Sequence, residues 1–87
     1  MLTIKVLGSG CENCKKLEQV ARNAVAALGV AAQFEKVTER VEIAKYAILA
    51  TPGLVIDGKV VSAGRIPSEA EVTTWIVSAL QSNGQPA

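Results

Sequence analysis

Cys11 and Cys14 are the only cysteines in this 87-residue chain, and it contains no histidine. They sit three apart in "GSGCENCKKLE", residues 8–18, after a strand-like run and at the start of a helix-like one. On a first helical turn, residues at i and i+3 share a face about 5–6 Å apart, within disulfide reach. The two sulfurs are not equivalent. Cys11 falls at the helix N-terminus, where free N–H groups and the macrodipole favour an anion. The thiolate is the reactive form, and such a position lowers a thiol pKa from about 8.5 towards about 3.5–7.5. Cys14 lies further into the helix and is expected to be more buried. Cys11 is therefore expected to be the nucleophile and Cys14 the resolving thiol. Lys15 and Lys16 favour the thiolate and Glu12 opposes it. Gly8 and Gly10 open the approach, so a substrate disulfide could reach Cys11 without meeting side chains.

Metal handling is the competing chemistry. A closed zinc site takes four ligands, usually Cys and His, and two cysteines with no histidine fall short of that. A soft ion such as Cu(I) accepts two thiolates, so a soft-metal or metalloid carrier stays open as the alternative. Copper chaperones also place Cys-x-x-Cys after their first strand, but their β-α-β-β-α-β order does not fit the order of elements in this chain.

The elements that must position the pair are legible from periodicity. Ile4, Val6 and Leu7 make residues 3–7 a strand, ended by "GSG". Leu17, Val20, Ala21, Ala24 and Leu28 form one stripe of a helix over 15–28, with Gly29 as its C′ residue. Residues 33–37 read as a strand, with Phe34 and Val37. Thr38 is a candidate N-cap for a helix over 39–48, whose apolar face would be Val41, Ala44 and Ile48. In "TPGLVIDGKVVSAG", strands over 54–56 and 59–62 flank an Asp57-Gly58 hairpin turn. Ser68 and Glu71 form a capping box for a last helix over 69–82, with Val72, Trp75, Ile76, Ala79 and Leu80 on its buried face. The order β-α-β-α-β-β-α predicts an α/β fold: a four-stranded mixed sheet flanked by three helices, its first two strands parallel across a helical crossover. One domain over 1–84 and a loose tail over 85–87 are expected.

A net charge of +1 and three aromatic residues argue against a nucleic-acid surface. No apolar run approaches the roughly 20 residues of a membrane span, and the N-terminal stretch is too short and polar for a signal peptide. A cytoplasmic, reducing location is expected, where a cysteine pair is more often catalytic or metal-binding than structural.

Together, Cys-x-x-Cys after the first strand, Thr51-Pro52 before a hairpin, Ala63-Gly64 after it and a terminal helix resemble the thioredoxin and glutaredoxin superfamily. The likeness covers nearly the whole chain and is nearest to the small thioredoxin-like redox-active disulfide proteins of bacteria and archaea. The resemblance implies a thioredoxin-like fold and a thiol–disulfide oxidoreductase acting on protein disulfides. It implies a cis Pro52 beside the cysteines, and a substrate segment lying along Thr51 within a wall that includes Gly10, Pro52, Ala63 and Gly64. It implies attack by Cys11 and release by Cys14. No bound cofactor is needed, because the pair carries the electrons. The expected donor is a thioredoxin reductase-like enzyme or glutathione, and a monomer is expected. The chain also departs from the pattern. It lacks the Trp before the motif and the Gly-Pro inside it. Where thioredoxins carry a buried acid six residues before the first cysteine, Lys5 stands here, which takes away the usual proton acceptor for Cys14. Lys5 reads as a surface lysine or as a residue that tunes the thiols. Arg65 reads as a solvated surface residue or one that meets a carboxylate, Trp75 as core, Tyr46 as a helix-surface or boundary residue and Asp57 as a turn residue.

Overall fold

The first strand, β1 (Leu2–Leu7), alternates as the pleat requires. Leu2, Ile4 and Val6 are buried against the helices on one face, while Thr3 and Lys5 between them are half-buried on the other. In the computed structural model, residues 2–8, 12–48 and 50–84 are described. The remaining elements are α1 (Glu12–Leu28), β2 (Ala32–Val37), α2 (Arg40–Ala44), β3 (Gly53–Ile56), β4 (Lys59–Ala63) and α3 (Glu69–Gly84). The order and the mixed sheet match the expectation. The strands lie in the order β2-β1-β3-β4, with β1 and β2 parallel and the other pairings antiparallel.

Helix α1 starts three residues earlier than the apolar stripe indicates, which places Cys14 inside its first turn. An acidic residue, Glu12, in that turn suits the positive end of the helix dipole. At the other end, Gly29 takes φ +67°, and the Gly29 and Val30 amides donate to the Ala26 and Val25 carbonyls. That closes the helix in a Schellman motif and turns the chain back towards β2. One layer of apolar side chains, with Leu17, Ala21 and Ala24 of α1 and Val72 and Ile76 of α3, covers Ile4, Val6, Leu54 and Ile56 of the sheet.

Helix α2 is the element the sequence misreads. It is one short turn and a half, begins after Glu39 rather than Thr38, and has no side-chain cap bond. Val41 and Ala44 face outward, Val41 at 69% exposure; of the expected face Ile48 alone is half-buried, alongside Ile43 and Tyr46. The reason is local. Ala47 takes φ +56°, which ends helical geometry before Ile48, so the stripe over 41–48 never forms one face. Leu80 of α3 is likewise 37% exposed rather than buried. Asp57 and Gly58 both take positive φ, as a two-residue hairpin turn requires. The Asp57 carboxylate also accepts the Thr3 amide at 2.9 Å, tying the turn to β1. The Ser68–Glu71 box forms in both directions: each amide donates to the other residue's side chain, at 3.1 and 3.2 Å. No described helix is long and apolar enough to cross a membrane.

Candidate active site

Cys14 lies at the junction of the end of β1, the first turn of α1 and the start of β3. It is 5% exposed and disulfide-bonded. The junction depends on Gly8. A Cβ on Gly8 would collide with the Cys14 sulfur, so the sulfur occupies the space that any other residue's side chain would fill. The φ of Gly8 is not left-handed, so the requirement is for room rather than conformation. The same Cβ would lie 3.9 Å from the Thr51 Cβ. Thr51, 37 positions on from Cys14 in the chain, thus borders the sulfur.

The Thr51–Pro52 peptide is cis; Pro52 is buried and Thr51 exposed. The Gly64 amide donates to the Pro52 carbonyl at 2.8 Å, and Ala63 pairs with Gly53 across β3 and β4. Gly64 takes φ +77°, and a Cβ there would stand 3.1 Å from the Ala50 Cβ. The fold therefore gathers Cys14, Thr51, Pro52, Ala63 and Gly64 at one end of the sheet. Cys11 and Gly10 lie outside the described residues.

Lys5 is not part of this cluster. Ile4 and Val6 share the core layer with Cys14, so Lys5 between them points to the opposite face of the sheet. Its ammonium donates to the Tyr46 hydroxyl at 3.1 Å and lies 5.9 Å from the Tyr46 ring centre. That hydroxyl, and then its field, holds the ammonium above its ordinary pKa. Lys5 therefore has no contact with the Cys14 sulfur, and a role in tuning that thiol fails on geometry. Tyr46 is a half-buried boundary residue, as expected. Arg65 is exposed, as expected, and its guanidinium makes a two-pronged pair with Glu71, at 2.8 and 3.1 Å. Trp75 packs at the edge of the core and lines an open pocket of about 290 Å³ beside the hairpin turn, away from the cysteine.

Sequence reasoning named Lys15 but missed two other charged neighbours of Cys14, Glu18 and Lys36. A small cavity of about 40 Å³ opens beside it, bordered by Glu18 of α1 and Lys36 of β2. Glu18 accepts from Arg22 at 2.8 Å and pairs with Lys36 at 3.2 Å. These cations, Arg22 first, hold the Glu18 carboxyl below the usual carboxylate range against the opposing effect of burial. The i+4 spacing of Glu18 from Cys14 was a usable signal. The approach of Lys36 depends on the β1–β2 register and had no local sign.

The comparisons with known proteins agree with this geometry. Residues 2–77 match the family model described as a thioredoxin domain. The chain is similar to a thioredoxin of Methanothermobacter thermautotrophicus, 43% identical over 72 residues, covering 83% of this chain and 94% of that one. It is also similar to a thioredoxin of Methanocaldococcus jannaschii, 36% identical over 81 residues and covering 93% of each. Among solved structures, the germline-specific thioredoxin Deadhead of Drosophila melanogaster shares the fold. The TM-score is 0.62 at 14% identity, over 88% of this chain and 79% of that one. With a strand–cysteine–helix junction closed by a cis proline, and with these relatives, the chain belongs to the thioredoxin family and is a thiol–disulfide oxidoreductase.

Proposed function

We propose that the protein reduces disulfides of other proteins through Cys11 and Cys14. The observation that carries this reading is the placement of the disulfide-bonded Cys14, seated on Gly8 and bordered by Thr51. Cys11, the only other cysteine in the chain, is its partner in the oxidised state. In the reduced state, the Cys11 thiolate attacks one sulfur of a substrate disulfide. The substrate S–S bond breaks, and the other sulfur leaves with the electron pair and takes up a proton. Cys14, once deprotonated, attacks the Cys11 sulfur of the mixed disulfide. The second substrate sulfur then leaves and is protonated, and the protein is left with its disulfide. Two electrons pass from the cysteine pair to the substrate, so no bound cofactor is required. A thioredoxin reductase-like enzyme or glutathione returns them. Thr51, Pro52, Ala63 and Gly64 line the wall against which an extended substrate segment lies, and the family resemblance adds Gly10 to it. The exposed Thr51 on a buried Pro52 supports that assignment. The protein acts as a monomer in the cytoplasm, where a reductant pool keeps the cycle running.

The test is a pair of traps. Cys14→Ser should accumulate mixed disulfides with a protein disulfide substrate, read by mass under non-reducing conditions. Cys11→Ser should accumulate almost none. Equal trapping by the two variants would refute the assignment of nucleophile and resolving thiol.

A further inference from the structure

The proposed cycle requires a buried thiol to lose a proton, and Lys5, on the other face of the sheet, cannot receive it. Cys14 is 5% exposed, so its proton has no direct route to bulk water. The cavity beside it is the route the structure offers. At about 40 Å³ it exceeds the roughly 10–15 Å³ that one water molecule needs. Val6 and Gly8 of the β1 end contribute no titratable group to it. The polar groups come from the other two sides: Lys15 and Glu18 from α1, and Lys36 and Thr38 from β2 and the residue after it. Glu18 is the sole carboxylate among the described residues that line it, and its side chain is only 17% exposed. Its place one turn beyond Cys14, on the same helix face, points it into this space. Arg22 and Lys36 hold it from two sides, at 2.8 and 3.2 Å.

We propose that Glu18 is the proton acceptor for Cys14, through a water in this cavity, during resolution of the mixed disulfide. The proposal rests on the dithiol cycle of Cys11 and Cys14. The Cys14 S–H bond breaks, its proton passes by way of the water to the Glu18 carboxylate, and the electron pair stays on sulfur as the thiolate. That thiolate forms the bond to Cys11, and the Cys11–substrate bond breaks. The proton then moves on to solvent or to the departing substrate sulfur, which restores the carboxylate. Lys36 and Lys15 add positive charge where the thiolate develops. Glu18 is a carboxylate at neutral pH, and the cations that lower its pKa make it hold the proton only briefly before passing it on. The carboxylate that the strand lacks is in this way supplied from the helix.

The test uses an aromatic disulfide such as Ellman's reagent, whose thiolate leaves without needing a proton. One equivalent is mixed with reduced protein. The first thiolate released reports attack by Cys11, and the second reports resolution by Cys14. In Glu18→Gln, which keeps the shape and one of the two acceptor oxygens, the first phase should be unchanged and the second slower by about 100-fold, the lower end for general-base assistance. The wild-type second phase should be nearly flat across neutral pH. In the variant it should rise about tenfold per pH unit, as direct ionisation of the thiol requires. A merely structural role would lower the rate without changing this slope. A wild type that already rises tenfold per unit, or a variant matching it in rate and slope, would overturn the proposal and leave the dithiol cycle standing. A wild type that releases only the first equivalent would overturn both.

Discussion

The two faces of the sheet divide the work of this molecule unequally, and β1 shows the division most plainly. On one face Ile4 and Val6 are sealed beneath α1 and α3, in the same layer as Cys14. On the other, Lys5 reaches over the sheet to Tyr46, in the turn that follows the short helix α2. That second face is not wholly polar: Leu7 and Val55 are buried on it, and Gly53 leaves room there for Leu7 and Ile48. A Cβ on Gly53 would stand 2.9 Å from Ile48 and 3.3 Å from Leu7. The thiol chemistry therefore grows out of the apolar, two-helix face. A charged residue on the neighbouring strand position, however suggestive its spacing, is separated from it by the sheet itself.

The largest expected contrast comes from truncating one residue on each face. Ile4→Ala opens a cavity in a site with no exposed surface and should cost about 2–5 kcal/mol in urea unfolding. Lys5→Met removes a half-exposed ammonium and should change stability by no more than about 0.5 kcal/mol. It should also leave the rate of Cys11 alkylation unaltered. A slowed alkylation in Lys5→Met would mean that charge on one face is felt on the other, and would undo the separation of roles.

A change at the junction between the faces should have an intermediate effect. Gly8→Ala asks the Cys14 sulfur to give way, since the added Cβ and that sulfur claim one position. Overpacking of this kind costs about 1–3 kcal/mol. The same displacement should slow closure of the disulfide, read as the second thiolate released from Ellman's reagent. A variant as stable and as fast as the wild type would show that the helix turn moves freely over β1.

The smallest expected effect lies at the start of α3, away from both faces. Arg65, and after it the Ser68 amide, hold Glu71 at about 2, against an ordinary 4.5. The folded pKa is depressed, so this stabilisation is complete above the unfolded value and is lost as pH falls from about 4.5 towards about 2. The pair is solvent-exposed, and its effect is modest. The melting-temperature difference between wild type and Glu71→Gln should shrink over that range and stay constant from pH 5 to neutrality. A difference that persists at the acid end would assign the effect to packing rather than to charge.

The sequence alone determined whatever rests on neighbours along the chain. The Cys-x-x-Cys spacing, the Schellman end at Gly29, the Asp57-Gly58 turn and the Ser68–Glu71 box are each written within a few residues. The last three formed as expected. The stripe of α1 was legible because a helix of 17 residues repeats its pattern often enough to be unambiguous. The stripe of α2 was not, because five helical residues carry too few repeats and one backbone angle at Ala47 redirects the chain beyond it. Only the tertiary structure decided which face Lys5 takes relative to Cys14 and how closely the Cys14 sulfur fits over Gly8. It also decided that Glu18 and Lys36 meet beside that sulfur. Those relations depend on sheet register and on where a helix axis crosses a strand. Such quantities are set by packing side chains from distant segments, and no local run of residues encodes them.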